Sequence, residues 1–285
     1  MLTENSAIED VVARTLEHAL VINRSKAYKY YARRIVERFS GRRAASITRG
    51  DVQRWAVERL RVNKPSSVNS EIAFLSRCFR TLQDHGVDVA NPALGIKLPP
   101  VQNCRDRVLS IEDETRLRDT MLLMPDGATH WSIIDVVLHT GMRRLEMLSL
   151  RVGDYGAECL SLRRTKTSKP RIIPLNDAAD AHCAEWAKER GASEWLFLPA
   201  WGNDRYEAGE QWCADVFKPA VRVAGIEDFT FRDLRRTFAS RVINAGATLY
   251  VVQQLLGHAS PVMTQRYTVL ALESLRDAVE KLSKL

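Results

Sequence analysis

Apolar residues in the first hundred positions recur every three or four places, the period of a helix buried along one face. That spacing predicts helices over about Ser6–Ala19, Ser25–Phe39, Thr48–Arg61 and Ser67–His85. In the last of these, Val68, Ile72, Leu75, Phe79 and Leu82 form the stripe, Arg77 and Arg80 fall on other faces, and Gly86 marks the stop. The periodicity then lapses. Asn91 to Arg107 holds three prolines and a glycine and reads as a linker. A helix opens again at Ser110, where Asp113 stands at the spacing of a capping box, and an apolar helix follows around Trp131–Leu138. Next the pattern alternates: Cys159–Arg163 and Arg171–Leu175 flank a TKTSKP turn, a strand–turn–strand signal. Helical spacing returns for the rest, ending in a tail that places Leu275, Val279 and Leu282 on one face.

This pattern predicts a mainly α protein with a small antiparallel β-sheet, divided into a helical domain over 1–92, a linker over 93–107 and a second domain over 108–285. The 285 residues suit two domains with a core in each, and 45% hydrophobic with 27% charged residues is ordinary for a globular protein. No apolar run is long enough to cross a membrane, and the N-terminus lacks the pattern of a secretory signal, so no membrane partner and a cytoplasmic location are expected. Five scattered cysteines, Cys78, Cys104, Cys159, Cys183 and Cys213, form no CxxC pair or Cys/His cluster; reduced thiols and no metal are expected.

Charge is uneven. The formal net charge is +7, and all of that excess lies in the first hundred residues. From Arg24 to Lys64, thirteen basic residues face only Glu37, Asp51 and Glu58. Such a face attracts a polyanion and favours phosphate contacts, although a solvated basic surface has the same composition.

Two further segments could carry chemistry. In TFRDLRRTFASR, Thr230 and Asp233 have capping-box spacing, and Phe231, Leu234, Phe238 and Val242 make the apolar stripe. Arg232, Arg235 and Arg236 then project from one side near the helix start. Guanidiniums that close repel one another unless an anion sits among them, and phosphate meets that need. In the second segment a short apolar helix ends at Gly257, His258 follows, Ser260 and Pro261 open another helix, and Tyr267 lies within it. Taken singly, these residues also fit structural roles.

Taken together, TGMR (Thr140–Arg143), Glu146, Lys166 in the turn, the DLR ending in Arg235, the LGH ending in His258, and Tyr267 resemble the tyrosine recombinase (phage integrase) family in identity, order and spacing. The resemblance covers the whole second domain, and Val68–Lys97 looks like the end of that family's core-binding domain. It implies a site-specific DNA recombinase or integrase that cleaves and rejoins DNA through a 3′-phosphotyrosine, without cofactor, metal or ATP. Implied partners are double-stranded DNA and three more copies of the chain, a homotetramer on two DNA sites. The tail from Leu270 to Leu285 would pass to a neighbour or fold back on its own domain. Few residues precede the first basic helices, which leaves no room for the extra arm-binding domain many phage integrases carry.

The resemblance assigns roles residue by residue. Arg143 and Arg235 would clamp the scissile phosphate, and Glu146 would position its neighbours. Lys166 would protonate the departing 5′-oxygen, with Lys169 as rival. His258 would hydrogen-bond the phosphate or the nucleophile, and Tyr267 would attack phosphorus. One position departs from the family pattern: Arg232 stands where the family usually has the histidine of an HxxR motif. Arginine keeps its proton, so Arg232 can hold a phosphate but cannot serve as a general base. The related type IB topoisomerases have a lysine there, so a cation is compatible with the chemistry.

Overall fold

The computed structural model describes residues 2–23, 26–100, 107–156, 158–162, 170–197, 205–258 and 260–265. The chain divides into two compact units, Met1–Asn103 and Cys104–Leu285.

The first unit is four helices, α1 (Ile8–Asn23), α2 (Lys26–Phe39), α3 (Arg49–Leu60) and α4 (Pro65–Asp84), close to the ranges predicted from spacing. Thr48 and Asp51 cap α3 reciprocally: the Thr48 hydroxyl accepts from the Asp51 N–H at 3.2 Å, and the Asp51 carboxylate accepts from the Thr48 N–H at 2.9 Å. All five residues of the predicted α4 stripe are buried, packed with Ile8, Ile35, Phe39, Val52 and Trp55 in one core. Ala93 belongs to that core, and Ile96 and Leu98 pack against it, so the start of the expected linker lies on this unit. One ion pair is buried with it: Arg59 forks onto Glu71 at 2.7 and 2.9 Å. The three acids of the basic stretch are all paired, Glu37 with Arg33 and Arg34, Asp51 with Arg42 and Arg54, and Glu58 with Arg38. Exposed Lys29, Arg43, Arg61 and Lys64 have no carboxylate partner among the described residues, so the excess positive charge is available on the surface.

In the second unit, helix α5 (Ile111–Leu122) leads to α6 (Gly127–Thr140), whose Ile133, Ile134, Val136, Val137 and Leu138 are buried almost completely. A helix apolar on all sides must be central, and α6 packs against α5, α8 (Asp177–Ala187) and α11 (Phe231–Asn244). Short α7 (Arg144–Leu148) follows, then an antiparallel sheet of β1 (Tyr155–Gly156), β2 (Cys159–Leu162) and β3 (Arg171–Pro174). The register pairs Leu160 with Ile173, both buried, and leaves Ile172 exposed, as the alternation predicted. Strand β1 adds an edge that the sequence pattern did not signal. Helices α9 (Arg205–Trp212) and α10 (Lys218–Val223) are joined without a break by a π-helical turn over Cys213–Phe217. This turn sets Trp212 and Phe217 against Phe231. Short α12 (Leu249–Leu256) and α13 (Pro261–Gln265) close the described part. The expected box at α5 forms only in half. Ser110 accepts the Asp113 N–H at 3.0 Å, but the Asp113 carboxylate goes instead to Arg107 and Arg116, whose charge makes them better donors than a backbone amide.

Cys78, Cys159, Cys183 and Cys213 are free thiols, and no helix among the described residues is long and apolar enough to cross a membrane. Cys104, Lys166, Lys169, Tyr267 and the tail residues Leu275, Val279 and Leu282 lie outside the described residues.

Candidate active site

The site begins where α6 ends. Gly141 has φ +62°, and its N–H closes the helix on the Val137 carbonyl at 2.9 Å. The position also has no room for a side chain, since a Cβ would stand 2.3 Å from Phe238 Cδ1. The turn made there carries the chain into the N-terminus of α7, with Arg143 as the extended residue that caps it. Three residues on, Glu146 reaches back: its carboxylate accepts from the Arg143 N–H at 2.8 Å and from Arg143 Nη1 at 2.7 Å. The TGMRRLE segment thus fixes one arginine through its own helix cap.

Two distant arginines join the same carboxylate. Arg171, at the start of β3, donates to both Glu146 oxygens at 3.0 and 2.9 Å. Arg235, one turn into α11, brings Nη1 within 3.9 Å of Glu146 Oε2. Arg235 is held chiefly by helix ends, donating to the Gly141 carbonyl at 2.7 Å and the Leu256 carbonyl at 2.5 Å. Both carbonyls lie at helix C-termini, where the partial negative charge favours a cation. Burial pushes the Glu146 carboxyl upward, but the Arg171 hydrogen bonds, the Arg143 N–H and the charges of both side chains outweigh it and hold the pKa at about 2. Glu146 is therefore a buried carboxylate that stays ionised among arginines.

Gly257 ends α12 with φ +62°, and the turn sets His258 beside Arg235. The His258 N–H bonds to the Gln253 carbonyl at 3.1 Å, and its Nδ1 lies 2.8 Å from the Thr264 hydroxyl on α13. At the start of α11, the Asp233 carboxylate accepts from the Thr230 N–H at 2.8 Å, which fixes the register of the arginines that follow.

These segments enclose a cavity of about 650 Å³. Arg143, Arg235, His258 and Arg232 all line it, so four of the residues singled out from sequence meet in one place. Sequence reasoning left out Arg144, Lys218 and Glu210 from its walls, and Arg236 was noted only as part of the arginine cluster. Among the described residues, six arginine and lysine side chains and a histidine thus face one carboxylate, Glu210, which pairs with Arg144. Phe217, Phe229 and Phe231 add apolar wall. Arg232 is exposed and Arg236 half-buried; the Arg236 Nη1 is shielded from water and has no partner among the described residues. Low-dielectric walls and converging guanidiniums make this an anion site, suited to a phosphate. Among the described residues no cluster of three or more His, Cys, Asp or Glu could hold a metal ion. Lys166 and Tyr267 lie outside the described residues, so their distances from the cavity are not part of this geometry. Sequence reasoning also gave no role to Arg171, which the structure places on Glu146; its one sequence signal was a charge opening an otherwise apolar strand.

A sequence model of the phage integrase family matches residues 107–273. Tyrosine recombinase XerD of Rickettsia bellii is 29% identical over 255 residues, covering 82% of this chain and 83% of the relative. Among solved structures, the Tn1549 transposon integrase in complex with transposon right end DNA superposes with a TM-score of 0.73 at 19% identity, covering 98% of this chain and 100% of that one. A lambda integrase tetramer bound to a Holliday junction gives 0.70 at 18% identity, covering 90% and 79%. At those identities the structural likeness is one of fold.

Proposed function

Because the chain belongs to the phage integrase family, the tyrosine-type site-specific DNA recombinases, we propose that it cleaves and rejoins duplex DNA through a 3′-phosphotyrosine formed by Tyr267, with no metal ion or nucleotide. The observation that carries this reading is the meeting of Arg143, Arg235 and His258, from three separate stretches of chain, on one cation-lined cavity.

In the proposed reaction the Tyr267 oxygen attacks the scissile phosphorus, the P–O5′ bond breaks, and the chain is joined through a P–O(Tyr) bond. A phenol with a pKa near 10 is a poor nucleophile until a neighbour polarises or takes its proton, a role for His258. Arg143 and Arg235 stabilise the charge that builds on the non-bridging oxygens, already ordered by Glu146 and the helix carbonyls. Lys166, which falls between β2 and β3 in the sequence, gives the leaving 5′-oxygen its proton. Arg232 adds positive charge where the family pattern has a histidine. Resealing runs the same steps backward from a 5′-hydroxyl, and the phosphotyrosine conserves the bond energy that ATP would otherwise supply.

The unpaired basic side chains of the first unit supply sequence-independent contacts to the DNA backbone. Four copies on two DNA sites, acting in the cytoplasm, complete the reading. The test uses nicked duplexes carrying the DNA repeats that flank the gene. A covalent protein–DNA adduct is expected with the wild type and none with Tyr267→Phe, while both bind the duplex. An adduct that survives Tyr267→Phe refutes the assignment. Binding without any adduct would favour a DNA-binding protein that has lost turnover, the reading that Arg232 suggests.

A further inference from the structure

We propose that Arg171 is a positioning residue of the reaction, a hub that sets both the Arg143 clamp and the turn carrying His258; this rests on the catalytic reading above. The side chain is only 9% exposed and does not line the cavity, so it orders the site without touching DNA.

Its contacts span the unit. Two donors fork onto Glu146, the carboxylate that holds the backbone and side chain of Arg143. The third, Nε, donates to the Leu255 carbonyl at 3.2 Å, three residues before His258. The guanidinium also lies flat against the turn itself, because a Cβ on Gly257 would stand 2.7 Å from Arg171 Nη1. The turn before His258 is therefore moulded on this arginine. Arg171 also opens β3, the strand that follows the segment containing Lys166, so one planar group ties together the ends of three parts of the proposed machinery. Only a rigid fork can do this. Lysine offers a point charge that cannot meet two carboxylate oxygens and a carbonyl in one plane.

Among the described residues, three charged groups face Glu146: Arg143 from the start of α7, Arg171 from β3 and Arg235 from α11. Arg171 is the strongest of the influences that keep it ionised against burial. Without Arg171, Glu146 becomes a poorly compensated buried carboxylate, takes up a proton more readily and loosens its hold on Arg143.

The experiment compares wild type, R171Q, R171K, E146Q and R171Q/E146Q in covalent-adduct formation on the nicked duplex across pH. DNA affinity and acid unfolding are measured alongside. R171Q is expected to slow adduct formation about 100-fold, the scale of a misplaced catalytic group, with affinity for DNA little changed. Its rate falls more steeply than that of the wild type as pH drops through the acid range, and its acid-unfolding midpoint moves up. R171K restores part of the rate, and R171Q adds little once Glu146 is already Gln. A wild-type rate and pH profile in R171Q or in R171K overturns the proposal, as does an additive double mutant. R171K and E146Q carry the test if R171Q does not fold. An adduct missing from every protein, wild type included, counts against the recombinase reading alone. In that case an upward acid-unfolding shift in R171K still supports the Arg171–Glu146 coupling, and no shift overturns it.

Discussion

Replacing Gly141 by alanine strikes the site at its narrowest point, and its cost can be built from two parts. Backbone at φ +62° costs a residue with a Cβ about 1–2 kcal/mol. The added methyl meets Phe238 Cδ1 at 2.3 Å, Cε1 at 2.9 Å and Leu256 Cδ2 at 3.0 Å, and both neighbours are buried, so overpacking adds about 1–3 kcal/mol. The total, roughly 2–5 kcal/mol, lowers Tm by something on the order of 10 °C in a unit of this size. Gly246 is the control: φ is +92° but nothing lies within 4 Å of its missing Cβ, so Gly246→Ala loses only the first part, about 1–2 kcal/mol. Thermal unfolding followed by circular dichroism measures both. The Gly141 carbonyl also holds Arg235, so Gly141→Ala should slow adduct formation even well below its own Tm. Equal melting of the two variants would falsify the packing argument, and an unimpaired adduct rate would remove Gly141 from the positioning of Arg235.

Glu146 gives a pH prediction with a definite sign. Its folded pKa of about 2 lies below the ordinary 4.5, so its stabilisation, on the order of 3 kcal/mol, is whole above pH 4.5 and lost as pH falls through about 2. In urea unfolding the gap between wild type and Glu146→Gln should therefore narrow across that window; a constant gap contradicts the account. For Arg232→His, a rate of adduct formation within about tenfold of wild type is expected, since the arginine supplies charge in place of proton transfer. A gain of about 100-fold, the usual worth of a general base, would mean that Arg232 holds the enzyme back.

Much of this was legible because it is local. Thr230 with Asp233, Gly257 before His258, and Glu146 three residues after Arg143 each act within one helical turn, where spacing alone fixes geometry. The α4 stripe and the Leu160–Ile173 register follow from periods of 3.6 and 2. What escaped the sequence acts over distance. Arg171 meets Leu255 across 84 positions, and no periodicity encodes that encounter. The π-helical turn at Cys213–Phe217 resembles ordinary helix in composition, and β1 is too short to alternate. Asp113 shows the limit of motif reading, because competing arginines took a carboxylate that its spacing reserved for a backbone amide.

Three guanidiniums gathered on a single carboxylate leave an unbalanced charge of two. A resting phosphodiester brings one negative charge. The five-coordinate phosphorus made when a phenolate adds to it carries two. In the proposed reaction that excess of two matches the charge of the five-coordinate phosphorus better than that of intact DNA, and Arg232, Arg236 and Lys218 on the same cavity add to it.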